Sequence, residues 1–447
     1  MAIWGFTETQ SSNPLPLPEL PLPQPQHEIL VDHHHYHEPL LQNSKVGGEG
    51  KEETDQCGTS TFANTCFNGL NALSGVGLLS IPYALSQGGW LSLILLFLVS
   101  AICCYTGLLL QRCMATNLAI RTYPQIGFHA FGSSGKLLVS IFMYMELYLV
   151  AIGFLILEGD NLNKLFPNTS VKFGDFYLEG KQFFVLLVAL AILPTTWLKR
   201  LDFLAYISAG GVLASWIVVI SVFCAAIFDG VGFHGKGRMI NFPGLPTALG
   251  LYAFCYCGHA IFPTLCNSMK EKTKFSKVLV VCFVLCNINY GLMAILGYLM
   301  YGDDINSQVT LNLPNGKLSS KIAIYTTLIN PFTKYALMVA PVAAAIEEQL
   351  LLHNKRSFSL LIRTLVVLST VIIALAVPFF GYLMTLIGSL LSVIVSFLLP
   401  CACYLKIIGP GRCHKAELAF IFGIVILGSF VATTGTYSSI IQIINEF

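Results

Sequence analysis

Beyond residue 60, long apolar runs alternate with short polar breaks to the end of the chain. The runs fall at about 62–86, 90–113, 137–157, 182–198, 203–228, 247–268, 278–300, 322–346, 358–377, 379–405 and 417–441. An α-helix needs ~20 predominantly apolar residues to cross the hydrocarbon of a bilayer. In lipid each backbone N–H and C=O must find an internal partner, so spanning segments fold as helices or closed barrels. The pattern predicts an all-α polytopic membrane protein with about 11 transmembrane helices. Pro378 and Gly381 divide what would otherwise be one run from 358 to 405.

Two runs are interrupted. The first reads TFANTCFNGLNALSGVGLLSIPYALSQ over Thr61–Gln87, with Asn71, Ser74, Gly75, Gly77 and Pro82 in its middle. These residues are poor material for an unbroken helix. A broken helix survives in a membrane where it faces protein or a watery cavity, and its freed backbone groups then bind a ligand. A helix N-terminus there favours a carboxylate, and exposed carbonyls favour a cation. The alternative is a small-residue face for helix packing. The sixth run, TALGLYAFCYCGHAIFPTLCNS, is broken by Gly258, His259 and Pro263. Interrupted helices at matching places in two halves predict a transporter of five-plus-five inverted repeats, with its substrate near the midplane between them. That divides the chain into a tail over 1–60 and a transmembrane domain over 61–447. The domain comprises repeat one at 61–230, repeat two at 245–405 and an extra helix at 417–441.

Charge orients the helices. Only 11% of residues are charged and the mean hydropathy is +0.70. If the N-terminus is cytosolic, the cytosolic loops carry fifteen Lys and Arg residues and the opposite loops seven. That is the bias expected of positive-inside insertion. Asn168-Thr169-Ser170 is a glycosylation sequon on the non-cytosolic side. Net charge is +2, and no basic domain is present to neutralise phosphates, which excludes a nucleic-acid partner. Most of the 14 cysteines lie inside apolar runs without disulfide or zinc spacing. Thr116–Lys136, with Phe128 and Phe131, reads either as an interfacial amphipathic segment or as a linker. The first sixty residues are rich in proline (Pro14, Pro16, Pro18, Pro21, Pro23, Pro25) and predict an extended, disordered cytosolic tail. Within it, His33-His34-His35-Tyr36-His37 is read as a solvated tract rather than a metal site. Glu38-Pro39-Leu40-Leu41 resembles an acidic dileucine sorting signal, which points to an endomembrane address.

Asn71-Ala72-Leu73-Ser74-Gly75-Val76-Gly77-Leu78-Leu79-Ser80-Ile81-Pro82-Tyr83-Ala84-Leu85 resembles the first-helix signature of the amino acid/auxin permease family, and its plant vacuolar amino acid transporter subfamily in particular. Glu158-Gly159-Asp160-Asn161-Leu162, Tyr256-Cys257-Gly258-His259-Ala260 and Pro331-Phe332-Thr333-Lys334-Tyr335 are similar to the same subfamily. The resemblance implies a LeuT/APC-like carrier of amino acids in the vacuolar membrane, coupled to protons, without a chemical cofactor. It places Asn71, Ala72, Ser74, Gly75 and Gly77 at the unwound first helix that cradles substrate. It places Tyr256, Gly258 and His259 at the break of the sixth. Sodium-coupled relatives hold a cation between the first and eighth helices, where this chain carries Lys334.

Ionisable groups within a span cost about 2.5–3.5 kcal/mol on insertion scales and are functional candidates by default. Lys334 either stands in for sodium and exchanges a proton, or forms a rigidifying ion pair with Glu146. Glu146 is either a proton carrier or a neutral acid donating one hydrogen bond. His259 either relays protons or supports the broken backbone. Glu158 and Asp160 are expected to face water at the end of the third span, and Glu347 and Glu348 at the end of the eighth. The chemistry implies a secondary transporter of neutral amino acids. Phe254 and Tyr256 are placed to admit large apolar side chains. A sensor signalling through the tail, or a plasma-membrane permease, is the alternative. An enzyme is not indicated: neither an HExxH motif nor paired aspartates occur within the spans.

Overall fold

The computed structural model describes residues 58–117, 119–173, 176–197, 204–235, 237–350, 356–377 and 379–446. The tail features, His33–His37 and Glu38–Leu41 included, lie outside these residues, as do Lys199, Arg200 and Pro378. Among the described residues, eight helices are long and apolar enough to cross a membrane. They include α3 (Ser92–Ala115), α4 (Tyr123–Leu165), α6 (Leu204–Phe228), α9 (Phe275–Tyr301), α10 (Leu318–Gln349), α11 (Arg356–Ala376) and α14 (Lys415–Glu446). The eighth runs over Phe380–Ile408 and contains α12 (Phe380–Leu386) and α13 (Leu399–Ile408). Three shorter units complete the predicted eleven: the pair α1 (Phe62–Leu73) and α2 (Gly77–Gly88), then α5 (Gly180–Thr196), then the pair α7 (Leu245–Cys255) and α8 (Phe262–Ser268). Helix α11 ends at Ala376 and α12 starts at Phe380, two helices where a single run was the main alternative.

The two halves repeat their packing. Helix α1 packs on α6 as α7 packs on the segment after α12; α1 packs on α9 as α7 packs on α3; α4 packs on α5 as α10 packs on α11. Many exposed side chains are apolar and recur at helical spacing, as Val280, Val284, Ile288 and Leu292 do along α9. Such a face suits lipid rather than water.

One face of the bundle gathers the start of α1, the end of α8 and the end of α10; we call it the near face. There Ser60 N donates to Ser268 O (2.8 Å) and Lys270 N to Ser60 O (3.0 Å). The opposite, far face is sealed. Trp90 N donates to Arg238 O (3.0 Å), Leu91 N to Met239 O (2.9 Å), and Arg238 pairs with Asp303 at 2.7 Å. An antiparallel hairpin of β1 (Ser170–Phe173) and β2 (Phe176–Glu179) lies between α4 and α5, with the exposed Asn168 at its entry in a left-handed conformation (φ 67°).

Two segments depart from the expectation. Thr116–Lys136 is not a plain linker. A reciprocal capping box between Thr122 and Gln125 starts α4 at Tyr123, and the helix kinks at Phe131 and Gly132 before continuing into the third span. Tyr123 is buried and donates to Val395 O (2.6 Å), which ties this piece to the bundle, while Phe128 and Phe131 on its other side stay exposed. The tenth span is not a uniform α-helix: Ile387–Ser392 and Ile394–Leu398 wind as π-helix. Such widened turns are rare and concentrate at functional sites.

Candidate functional site

Helix α1 ends because Ser74 leaves helical geometry (φ −77°, ψ 77°), and α2 restarts three residues later. The carbonyls released by this break are not left bare. Lys334 of α10 is buried, and its Nζ donates to Asn71 O (2.8 Å) and Ser74 O (2.7 Å). The second break is closed differently. Tyr290 of α9 sits between the two breaks, its hydroxyl 2.5 Å from Leu73 O and 3.3 Å from Cys255 O. A Cβ on Gly77 would lie 2.6 Å from the Cys255 sulfur, so glycine lets the start of α2 meet the end of α7 directly. A Cβ on Gly258 would lie 2.8 Å from the Phe262 ring and 3.0 Å from Leu73. The two breaks thus interlock, and small residues permit it.

A vestibule of about 1070 Å³ opens at the near face between Thr122–Gln125, Thr264, Leu265 and the end of α10. At depth its wall includes Asn68, Asn71, Ala72, Ser208 and Lys334. Beyond it lies a chamber of about 80 Å³, lined by Gly75, Val76 and Gly77 from the first break, Phe254, Cys257 and Gly258 from the second, and Glu146, Val150, Phe154 and Lys334. Ala72, Ala260, Ile261 and Lys334 border both.

The residues singled out in the sequence therefore divide. Asn71, Ala72, Gly75, Gly77, Gly258, Lys334 and Glu146 reach the two cavities. Ser74 contributes its carbonyl to Lys334, while its hydroxyl is enclosed without a partner among the described residues. Tyr256 and His259 line neither cavity. Tyr256 donates to Asn287 Oδ1 (2.5 Å) and packs beside Phe283 and Tyr290. His259 is fully buried, its Nε2 2.9 Å from Thr106 Oγ1 and its Nδ1 without a hydrogen-bond partner among the described residues. Their place is behind the second break, where they brace it.

The ion pair between Lys334 and Glu146 does not form. Glu146 instead accepts from Ser392 Oγ (2.5 Å) and Cys257 Sγ (3.0 Å), and Ser396 Oγ donates to that same sulfur (3.0 Å). The π-helical turns deliver Ser392 and Ser396 to this acid, and sequence reading missed both. The available signal was Ser389, Ser392 and Ser396 recurring at helical spacing in an apolar run. Three expectations for acids are corrected. Glu158 does not face water but is wholly enclosed. Asp160 is held by Lys181 (2.6 Å) and Gln308 Nε2 (2.8 Å). Glu347 is buried against Arg363 (3.2 Å) and Ser359 (2.7 Å), whereas Glu348 does lie at the vestibule mouth.

Two interrupted helices meeting at a chamber beneath an open vestibule define a broken-helix membrane transporter. A solved structure of a Na⁺-coupled sialic acid symporter, in a substrate-bound outward-open state, has a similar fold. Its TM-score is 0.51 at 12% identity, covering 84% of this chain and 88% of that one. The model of the family "Transmembrane amino acid transporter protein" matches residues 58–441, and the chain belongs to that family. Relatives from Arabidopsis thaliana include Amino acid transporter AVT1I, 52% identical over 88% of this chain and 98% of its own length. AVT1J is 51% identical over 87% and 93%, and the more distant ANT1 is 28% identical over 91% and 96%. The protein is thus a multi-pass amino acid transporter and not an enzyme.

Proposed function

We propose that the protein is a secondary active transporter of neutral amino acids, coupled to protons and resident in the vacuolar membrane with its N-terminus in the cytosol. The observation that carries this reading is the Lys334 ammonium between the carbonyls of Asn71 and Ser74. A fixed positive charge there does the work of a metal cation: it satisfies the unwound carbonyls and needs no sodium. A lysine, unlike sodium, also carries an exchangeable proton.

The amino acid occupies the chamber, with its carboxylate toward the start of α2 at Gly77, where backbone N–H groups and the helix dipole favour an anion. Its side chain meets Val150, Phe154 and Phe254, surfaces suited to an uncharged group. Glu146, bordering the chamber, is the acid nearest the substrate and serves as proton carrier together with Lys334. The transporting unit is residues 61–447, with repeats at 61–230 and 245–405, the extra helix at 417–441 and the tail at 1–60 outside it. With a cytosolic N-terminus, the open vestibule faces the cytosol.

The test is uptake of a mixed pool of labelled amino acids into liposomes carrying the purified protein, without sodium. Accumulation that follows an imposed pH gradient and collapses with a protonophore supports the reading. The acidic side that drives uptake distinguishes antiport from symport. Equilibration without accumulation overturns proton coupling.

A further inference from the structure

The mechanism above leaves one enclosed acid unused. Glu158 is 0% exposed, and neither carboxylate oxygen has a hydrogen-bond partner among the described residues. Its position on α4 is informative. Leu147, Val150 and Phe154 line the chamber at helical spacing. Glu158 continues that stripe one turn beyond Phe154. At 1.5 Å per residue it stands about 6 Å past Phe154 and about 18 Å past Glu146 along the helix. The next position on the stripe belongs to the far-face seal: Asn161 Nδ2 donates to Gln308 Oε1 (2.8 Å), and Gln308 reaches Asp160 (2.8 Å). Glu158 therefore lies between the chamber and the seal.

The charged groups on the elements packed around the far half of α4 are paired with other partners or exposed. Asp160 and Lys181 of α5 hold each other at 2.6 Å. Lys164 donates to Leu311 O (2.5 Å) and Leu313 O (2.6 Å). On α10, Lys334 holds the first break and Lys321 is exposed. On α11, Arg363 is paired with Glu347. In the loop after α9, Asp303 is paired with Arg238 and Asp304 is exposed. Helix α12 has no charged residue. Burying an ionised carboxylate with neither a cation nor a donor is strongly opposed.

We propose that Glu158 is a proton-binding site, loaded and emptied through the far face when the seal opens. This rests on the proton-coupled reading above and adds a second station to it. The step is a transfer of H⁺ between the carboxyl group and water admitted by the opening: on release the carboxyl O–H bond breaks as an O–H bond to water forms, leaving carboxylate and hydronium, and loading is the reverse. Glu146, bordering the chamber below the vestibule, exchanges with the near side; Glu158 exchanges with the far side.

The experiment compares wild type, Glu158→Gln and Glu158→Asp, full length, in liposomes. Two quantities are read: accumulation of labelled amino acid under a pH gradient, and exchange of labelled for unlabelled amino acid at symmetric pH. For Glu158→Gln we expect accumulation to fall by ~10-fold or more, equivalent to ~1.4 kcal/mol, while exchange stays within ~2-fold. Glu158→Asp should keep part of the accumulation. Wild-type accumulation in Glu158→Gln overturns this site and leaves proton coupling standing. Wild type that ignores the gradient overturns both. A second measurement needs no variant to insert and uses wild type alone: labelling of Glu158 by dicyclohexylcarbodiimide, which reacts with the protonated carboxyl. Labelling that falls as far-side pH rises, and ignores near-side pH, supports the site. Labelling indifferent to far-side pH overturns it.

Discussion

The two breaks are closed by opposite means. At the first, a single ammonium spans two carbonyls from another helix, with Lys334 bridging α10 to Asn71 and Ser74. At the second, no charge is used: His259 with Thr106 and the Phe262 ring occupy the gap, and Tyr290 joins it to Leu73 O of the first break. The difference separates the roles of the two. A break held by charge can be released by moving one proton or one side chain. A break held by packed rings and neutral hydrogen bonds releases only by moving whole helices. The first break is therefore the place to look for coupling, and the second is the support against which it works.

The comparison is broken most sharply at Lys334. Lys334→Met removes the donor for two buried carbonyls, at ~1–3 kcal/mol for each group left unsatisfied. Gradient-driven accumulation should fall to background, while the protein still inserts and elutes as a folded species in size-exclusion chromatography. Wild-type rates in this variant would remove Lys334 from the mechanism. Next is Glu146→Gln, whose amide oxygen can still accept from Ser392 and Cys257. Accumulation should drop ~10-fold, or ~1.4 kcal/mol, with exchange at symmetric pH retained. A full response to the pH gradient would reduce Glu146 to a structural acceptor.

Smaller effects should follow on the packed side. Tyr290→Phe removes the hydroxyl from between the Leu73 and Cys255 carbonyls, of which Leu73 O keeps Gly75 N as a donor (2.9 Å), and should cost ~1–3 kcal/mol, read as a lowered unfolding temperature with coupling intact. Thr106→Val removes one partner of His259 and should cost ~1 kcal/mol, with little change in transport. If Thr106→Val uncouples transport while Lys334→Met does not, the assignment of the two breaks is reversed.

Much of this was legible in the chain, for identifiable reasons. Glycine, serine, asparagine and proline inside apolar runs marked both breaks, because backbone preference acts locally. The eleven units followed from hydropathy, and Pro378 with Gly381 correctly divided the ninth from the tenth. Lys334 stood out because a cation in hydrocarbon needs a partner, but which partner it takes is a tertiary fact. Sequence left Glu146 as one candidate, and the backbone of α1 is the one realised. The π-helical turns at Ile387–Leu398 were hidden because their residues are ordinary apolar helix formers; packing against α7 and α4 accompanies the widening. Glu158 was misjudged because hydropathy locates the end of a span but not what the far-face loops cover. The start of α4 was readable in principle: Thr122 and Gln125 have capping-box spacing.

The central claim is that the Lys334 ammonium does the work a bound cation does in a sodium-coupled carrier. The direct measurement is equilibrium binding of a labelled amino acid to the purified wild-type protein, with sodium absent and with sodium in excess. The account predicts the same Kd in both. A loss of ~10-fold or more in affinity without sodium, equivalent to ~1.4 kcal/mol, would contradict it.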